Sequence, residues 1–101
     1  MLKKKFFKTI EECEVTFELA VSEVTEAALV GEFNDWQPVQ MKKAKAKNAP
    51  FRIKIRLPKE GEYQFRYLVN SQEWRNDEAA DAYRENGHGS DNSVVSTFKN
   101  N

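Results

Sequence analysis

The chain has 101 residues, 40% of them hydrophobic, 12% aromatic and 32% charged. This length suits one domain with one core, and the apolar content excludes a disordered chain. Sixteen Lys and Arg balance sixteen Asp and Glu, so the net charge is +0, which argues against general nucleic-acid binding.

In chain order, residues 3–9 read as an edge strand whose lysines guard it against aggregation. Residues 13–20 alternate cleanly, with Cys13, Val15, Phe17 and Leu19 on one face and Glu14, Thr16 and Glu18 on the other, the period of a half-buried strand. Cys13 is the only cysteine, so no internal disulfide forms, and its phase makes it a small buried hydrophobe. Residues 27–33 form the next strand and run into Asn34-Asp35, turn chemistry that tolerates left-handed backbone. Trp36 follows, and Pro38 blocks regular pairing, which places the indole at a loop edge.

Residues 41–45 form a short strand. Residues 51–57 form the clearest one, with Phe51, Ile53, Ile55 and Leu57 inward and Arg52, Lys54 and Arg56 outward. A turn at Pro58-Lys59-Glu60-Gly61 leads to residues 62–70, where Tyr63, Phe65, Tyr67 and Val69 share one face and Gln64, Arg66 and Leu68 the other. Asn70-Ser71-Gln72-Glu73 is a second turn-like stretch, and Trp74 follows it. Residues 74–93 read as a polar, solvated loop in which residues 78–83 make at most a helical turn. The last strand is 93–98. About seven short antiparallel strands, rich in aromatics, define an all-β sandwich occupying residues 1–101 as a single domain.

Charge is unevenly spread. Residues 10–35 hold eight acids and no base, and residues 41–59 hold eight bases and no acid. Opposite charges on neighbouring strands explain this, and that reading is favoured over a basic patch for an anionic partner. No stretch approaches the ~20 apolar residues of a membrane span, and the basic start has no apolar core after it to make a signal peptide, so the expected compartment is the cytoplasm.

Two tryptophans beside two turns suggest a flat apolar platform suited to sugar rings. The segments Phe33-Asn34-Asp35-Trp36, Leu57-Pro58-Lys59-Glu60-Gly61-Glu62-Tyr63-Gln64-Phe65-Arg66-Tyr67, Glu73-Trp74 and Gly89-Ser90-Asp91-Asn92-Ser93 occur in the order of the isoamylase N-terminal ("early set") domains. The chain thus resembles carbohydrate-binding module family 48, which includes the glycogen-binding domain of the AMP-activated kinase β subunit, over about residues 13–97. The resemblance implies an immunoglobulin-like sandwich that binds α-1,4-linked glucan (glycogen, starch or maltooligosaccharide) without catalysis or cofactor. It implies stacking by Trp36 and Trp74 and hydroxyl contacts from Arg66, Ser90 and Asn92. Arg66 stands where many glycogen binders carry lysine, Ser90 replaces a threonine, and His88 takes the position of a leucine.

Each residue also has a plainer reading. The tryptophans could be core residues, Arg66 could serve an ordinary ion pair, and Asn92 could bond its own turn backbone. His88 is read first as a surface-loop histidine and second as a sugar contact; as the lone histidine it makes no metal site. The acids Asp77, Glu78, Asp81, Glu85 and Asp91 are read as solvated rather than as a glycosidase pair. The alternative function is a docking module for a glucan-metabolising enzyme, without sugar binding of its own and through the basic stretch 41–59.

Overall fold

The computed structural model describes residues 1–46, 48–87 and 89–99. Among them run ten strands: β1 (Leu2–Phe6), β2 (Glu12–Leu19), β3 (Ala27–Gly31), β4 (Val39–Gln40), β5 (Lys42–Lys43), β6 (Phe51–Pro58), β7 (Glu62–Val69), β8 (Glu73–Arg75), β9 (Ala82–Glu85) and β10 (Asp91–Ser96). One antiparallel sheet has the order β1-β2-β6-β5. The other has the order β4-β3-β7-β10-β9, with β8 also paired to β7. The two sheets make an immunoglobulin-like β-sandwich.

The alternating runs of the sequence become the two inner faces. Cys13, Val15, Phe17 and Leu19 of β2 and Phe51 and Leu57 of β6 meet Ala27 and Leu29 of β3, Phe65, Tyr67 and Val69 of β7 and Val95 of β10. Aromatic edges pack on faces at the centre: Phe17 and Phe65 lie 5.0 Å apart at 77°, and Phe65 and Tyr67 5.6 Å apart at 75°. The strand around Met41 serves both sheets. Val39 pairs with Leu29 in one, Lys42 pairs with Arg52 in the other, and buried Met41 is the pivot, its N–H donating to the Ala27 carbonyl.

The charge asymmetry is resolved chiefly by pairing β2 with β6. Glu14 faces Arg56 and Glu18 faces Arg52 across the ladder, and Arg52, Arg56 and Lys3 make ion pairs with acids of β2. The Glu18 side chain is nearly buried, and its carboxylate accepts from Arg52 Nε at 2.7 Å. Burial alone would raise its pKa; hydrogen bonds from Arg52 and Lys3, together with their charges, outweigh it and hold the carboxyl below its usual range. Cys13 is buried as expected, and burial pushes its thiol up.

Residues 74–93 depart from the sequence reading. They contribute β8 and β9 to the larger sheet, and residues 78–83 form a turn and the start of β9 instead of a helical turn. Asp77 is not solvated. Its side chain is 0% exposed and accepts from the Tyr67 hydroxyl at 2.7 Å, the Met1 amino group at 2.5 Å and the Ala79 N–H at 2.8 Å. Its own N–H donates to Ser93 Oγ, and its carbonyl accepts from the Tyr83 hydroxyl. Tyr67, a core aromatic with a hydroxyl, needs such a partner, and burial together with the Asp77 charge drives its phenol pKa far up. Asp81 is engaged as well, by Lys4 at 2.6 Å and the Ser96 N–H at 2.8 Å.

Replacing Glu18 by Gln should lower unfolding stability at neutral pH by about 1–3 kcal/mol, the cost of losing charge-assisted hydrogen bonds. A depressed carboxyl pKa contributes stability above the unfolded carboxylate range of about pH 4.3 and loses it as pH falls through the folded value. The gap between wild type and Glu18→Gln should therefore narrow on acidification. Denaturant unfolding from pH 7 to pH 3 measures this, and a constant gap would contradict it.

Candidate functional site

Of the residues singled out from the sequence, Arg66, Trp74 and Asn92 lie on strands of the larger sheet, and Trp36 and Ser90 lie on turns outside its strands. Strand β7 builds both sides of that sheet: Phe65 and Tyr67 point inward, so Gln64, Arg66 and Leu68 point outward. Ala28 and Val30 of β3 and Val94 of β10 share this outer side and are nonetheless buried. The face is covered apolar ground with polar groups set into it, unlike a fully solvated sheet surface.

Trp74 stands on β8 opposite Leu68 and is 48% exposed. Strand β8 exists because the chain reverses tightly at Asn70-Ser71, both with positive φ (51° and 58°), the signature of a type I′ hairpin. Gln72 N–H closes the turn on the Val69 carbonyl at 3.1 Å. The Asn70 side-chain oxygen accepts from the N–H groups of Thr25 and Glu26 and from the Thr25 hydroxyl, which ties the turn to the approach of β3. Beyond β8, the Asp77 network anchors the other end.

Trp36 is 42% exposed and lies where β3 gives way to a 3-10 turn over Glu32–Asn34. Asn34 holds that turn against the strand it leaves: its oxygen accepts from Gly31 N–H at 2.9 Å and its amide donates to the Leu29 carbonyl at 3.2 Å. Asp35 and Trp36 then both adopt left-handed backbone, φ 56° and 58°, and Trp36 N–H donates back to the Gly31 carbonyl at 2.8 Å. Gly31 permits this close path, since a Cβ there would come within 2.9 Å of the Gln64 carbonyl oxygen and 2.8 Å of the Phe33 ring. The Glu32 carboxylate accepts the Gln64 N–H at 2.6 Å just past the end of β3.

Arg66 lies across the ladder from Val30, half-buried, its guanidinium carbon 5.9 Å from the centre of the Trp74 ring. No acid pairs with it among the described residues, so the plain ion-pair reading of this arginine falls away. Its Nε is buried and has no hydrogen-bond partner among the described residues. Asn92 sits on β10 one step along from the Ser93 and Phe65 pair, which brings it opposite Arg66. It is buried, and its amide donates to Gln64 Oε1 at 2.9 Å. The plain reading of Asn92 as a bond to its own turn backbone is replaced by this cross-strand bond.

The residues therefore group unevenly. Arg66 and Trp74 are joined by a contact, and Asn92 is set beside Arg66 by the strand register. Trp36 stands at the end of β3 on its own support. Ser90 is exposed and closes the β9–β10 hairpin, its Oγ accepting from the Asn86 amide at 2.8 Å. His88, the second-choice sugar contact, lies outside the described residues. Sequence reasoning placed Gln64 on the outer face without a role. Its signal was its position two residues before Arg66 on the same face, which makes it a neighbour of any group Arg66 serves. Asn34 and Asn70 were visible as turn formers, but not as the supports of the two indoles.

Among the described residues no cluster of His, Cys, Asp and Glu could hold a metal ion, and no helix is long and apolar enough to cross a membrane. An immunoglobulin-like sandwich with two exposed indoles, one of them beside a guanidinium nitrogen that has no partner among the described residues, is the class that fold and site define together. Residues 14–101 match the family model described as the glycogen recognition site of AMP-activated protein kinase, and the chain belongs to that family. None of the curated proteins matches the chain.

Replacing Asn34 by Ala should leave Gly31 N–H and the Leu29 carbonyl without their side-chain partner, at a cost of about 1–3 kcal/mol. In a Trp74→Phe background the emission reports Trp36 alone. It should shift to the red and become more accessible to acrylamide if Asn34 holds that ring in place. Unchanged emission and unchanged stability would show that the turn stands without this side chain.

Proposed function

We propose that this domain binds α-1,4-linked glucan, as glycogen, starch or maltooligosaccharide, without chemical change. The observation that carries the reading is the exposed Trp74 indole beside Arg66, whose buried Nε has a hydrogen to give and no partner among the described residues. A buried donor without an acceptor is costly, and a sugar hydroxyl against the indole face would supply one. Membership of a glycogen recognition family supports the same ligand.

The division of labour follows from the chemistry of each group. Indole faces attract the C–H faces of pyranose rings through buried apolar area, and Trp74 and Trp36 take that role. Arg66 donates to ring hydroxyls. The Asn92 amide nitrogen is committed to Gln64, so Asn92 presents its oxygen as an acceptor next to the Arg66 donor. A hydroxyl, which both donates and accepts, suits that pair. Ser90 adds a further hydroxyl at the hairpin end of β10. The domain is a recognition module without catalytic residues, and it would bring a glucan-metabolising enzyme and its polymer together.

Affinity should be modest, because an open face must offset the ordering of a flexible oligosaccharide; a Kd of about 10 μM to 1 mM, about 4–7 kcal/mol, is expected. Maltoheptaose titration by calorimetry tests this. Trp36→Ala and Trp74→Ala should each weaken binding at least about tenfold, with thermal unfolding little changed because both rings are exposed. Arg66→Ala should weaken it too. If both tryptophan variants bind like wild type, the site is wrong.

A further inference from the structure

The smaller sheet carries a second feature that the sugar reading does not use. Strand β6 pairs with β2 along all eight of its residues, but on its other side β5 covers only Phe51 and Arg52. The chain that begins to line this edge leaves for the opposite sheet at Met41. Residues 53–57 therefore present an outer edge that faces no other strand among the described residues. Such an edge is a template for an added strand.

Two further observations say what kind of strand fits. Ile53 and Ile55 point toward the core yet are only half-buried. A cavity of about 550 Å³ lies alongside, its lining including Ile53, Ala49, Pro50, Lys42, Lys43 and Lys54. The charge around it is uncompensated. Arg56 has Glu12 and Glu14, and Arg52 has Glu18, whereas Lys42, Lys43, Lys45 and Lys54 make no ion pair among the described residues. A second copy docking edge to edge would set Arg52, Lys54 and Arg56 against the same bases, and like charges directly opposite destabilise a ladder. The lysines thus repel this chain's own edge while attracting an acidic one.

We infer that the open edge of β6 is a docking site for an extended acidic segment of another protein. That segment adds a strand along residues 53–57, with carboxylates toward Lys42 and Lys54 and alternate apolar side chains over Ile53 and Ile55. The site lies on the sheet opposite Trp74 and Arg66 and stands whether or not the glucan reading holds.

The test uses the full chain, ¹⁵N-labelled, and a fluorescent seven-residue peptide alternating glutamate and valine. Anisotropy should show saturable binding below about 1 mM, with amide shifts confined to β5 and residues 52–57. The double charge reversal Lys42→Glu/Lys54→Glu changes exposed side chains only. It should weaken the peptide at least about tenfold while leaving amide dispersion and the maltoheptaose titration unchanged. Methylating alternate backbone nitrogens of the peptide should abolish binding. Equal binding by the methylated peptide, or by one of scrambled order, would mean a loose polyanion surface and overturn the proposal. So would no binding at about 1 mM, or concentration-dependent self-association with the same amides shifting. Absence of maltoheptaose binding by the unmodified chain, with the peptide result intact, would count against the glucan reading alone.

Discussion

The strict alternation of β7 is the constraint on which both core and site depend. One face of the strand supplies Phe65 and Tyr67, two of the largest fully buried side chains in the sandwich, and the other supplies Gln64 and Arg66. Because the pleat has a period of two, a slip of one residue would put Arg66 into the apolar interior and Phe65 on the surface. Burial of the aromatic face therefore fixes the position of the guanidinium. Pairing with β3 on one side and with β8 and β10 on the other then fixes which groups stand next to it. Core packing positions the candidate site here, with no separate framework for it.

The two indoles need more than the ladder, since both lie beyond regular strand interiors or on a strand too short to hold itself. Polar side chains that bond backbone groups distant in space supply the difference. Asn34 recaptures the end of β3, Asn70 joins the β7–β8 turn to the segment before β3, and Asp77 draws the chain after β8 into the interior. Each satisfies backbone or hydroxyl groups that would otherwise lack partners, so each loop is restricted to one path. Exposed rings on constrained loops would lose little further conformational freedom in any contact they make.

The parts of the fold legible in the sequence are those with one wet and one dry face. β2, β6 and β7 carry unbroken alternation, and their observed bounds lie within a residue of the expected ones. β8 and β9 were invisible for a physical reason. Glu73, Trp74 and Arg75 are all exposed, as is most of β9, so neither has a buried face to impose a period. They are strands because β7 and β10 offer edges to pair with, which is information held elsewhere in the chain. Asp77 was hidden in the same way, as one acid among five in a polar run. The sign that one of them had to be inside was the hydroxyl of Tyr67, placed by its own alternation in the core. At the candidate site, the two indoles expected at loop edges are exposed, whereas Arg66, expected to turn away from the core, is half-buried with its Nε covered. The hydrogen bond between Asn92 and Gln64 depends on the β7–β10 register, which no local pattern encodes.

The balanced net charge hides the most uneven property of the molecule. The acidic run 10–35 and the basic run 41–59 cancel where they become neighbouring strands, and β2 with β6 is that place. Cancellation stops where the pairing stops. Lys42 and Lys43 sit on the terminal strand of the smaller sheet, with no acidic strand beyond them among the described residues, because the crossing at Met41 carries the preceding chain to the other sheet. The surplus of positive charge and the unpaired edge of β6 thus have a single structural cause. Lysines at such an edge oppose pairing with another basic edge, and the same electrostatics would favour an acidic one. An edge protected in this way would select partners by charge, and on this molecule it lies on the sheet away from the exposed Trp74 ring.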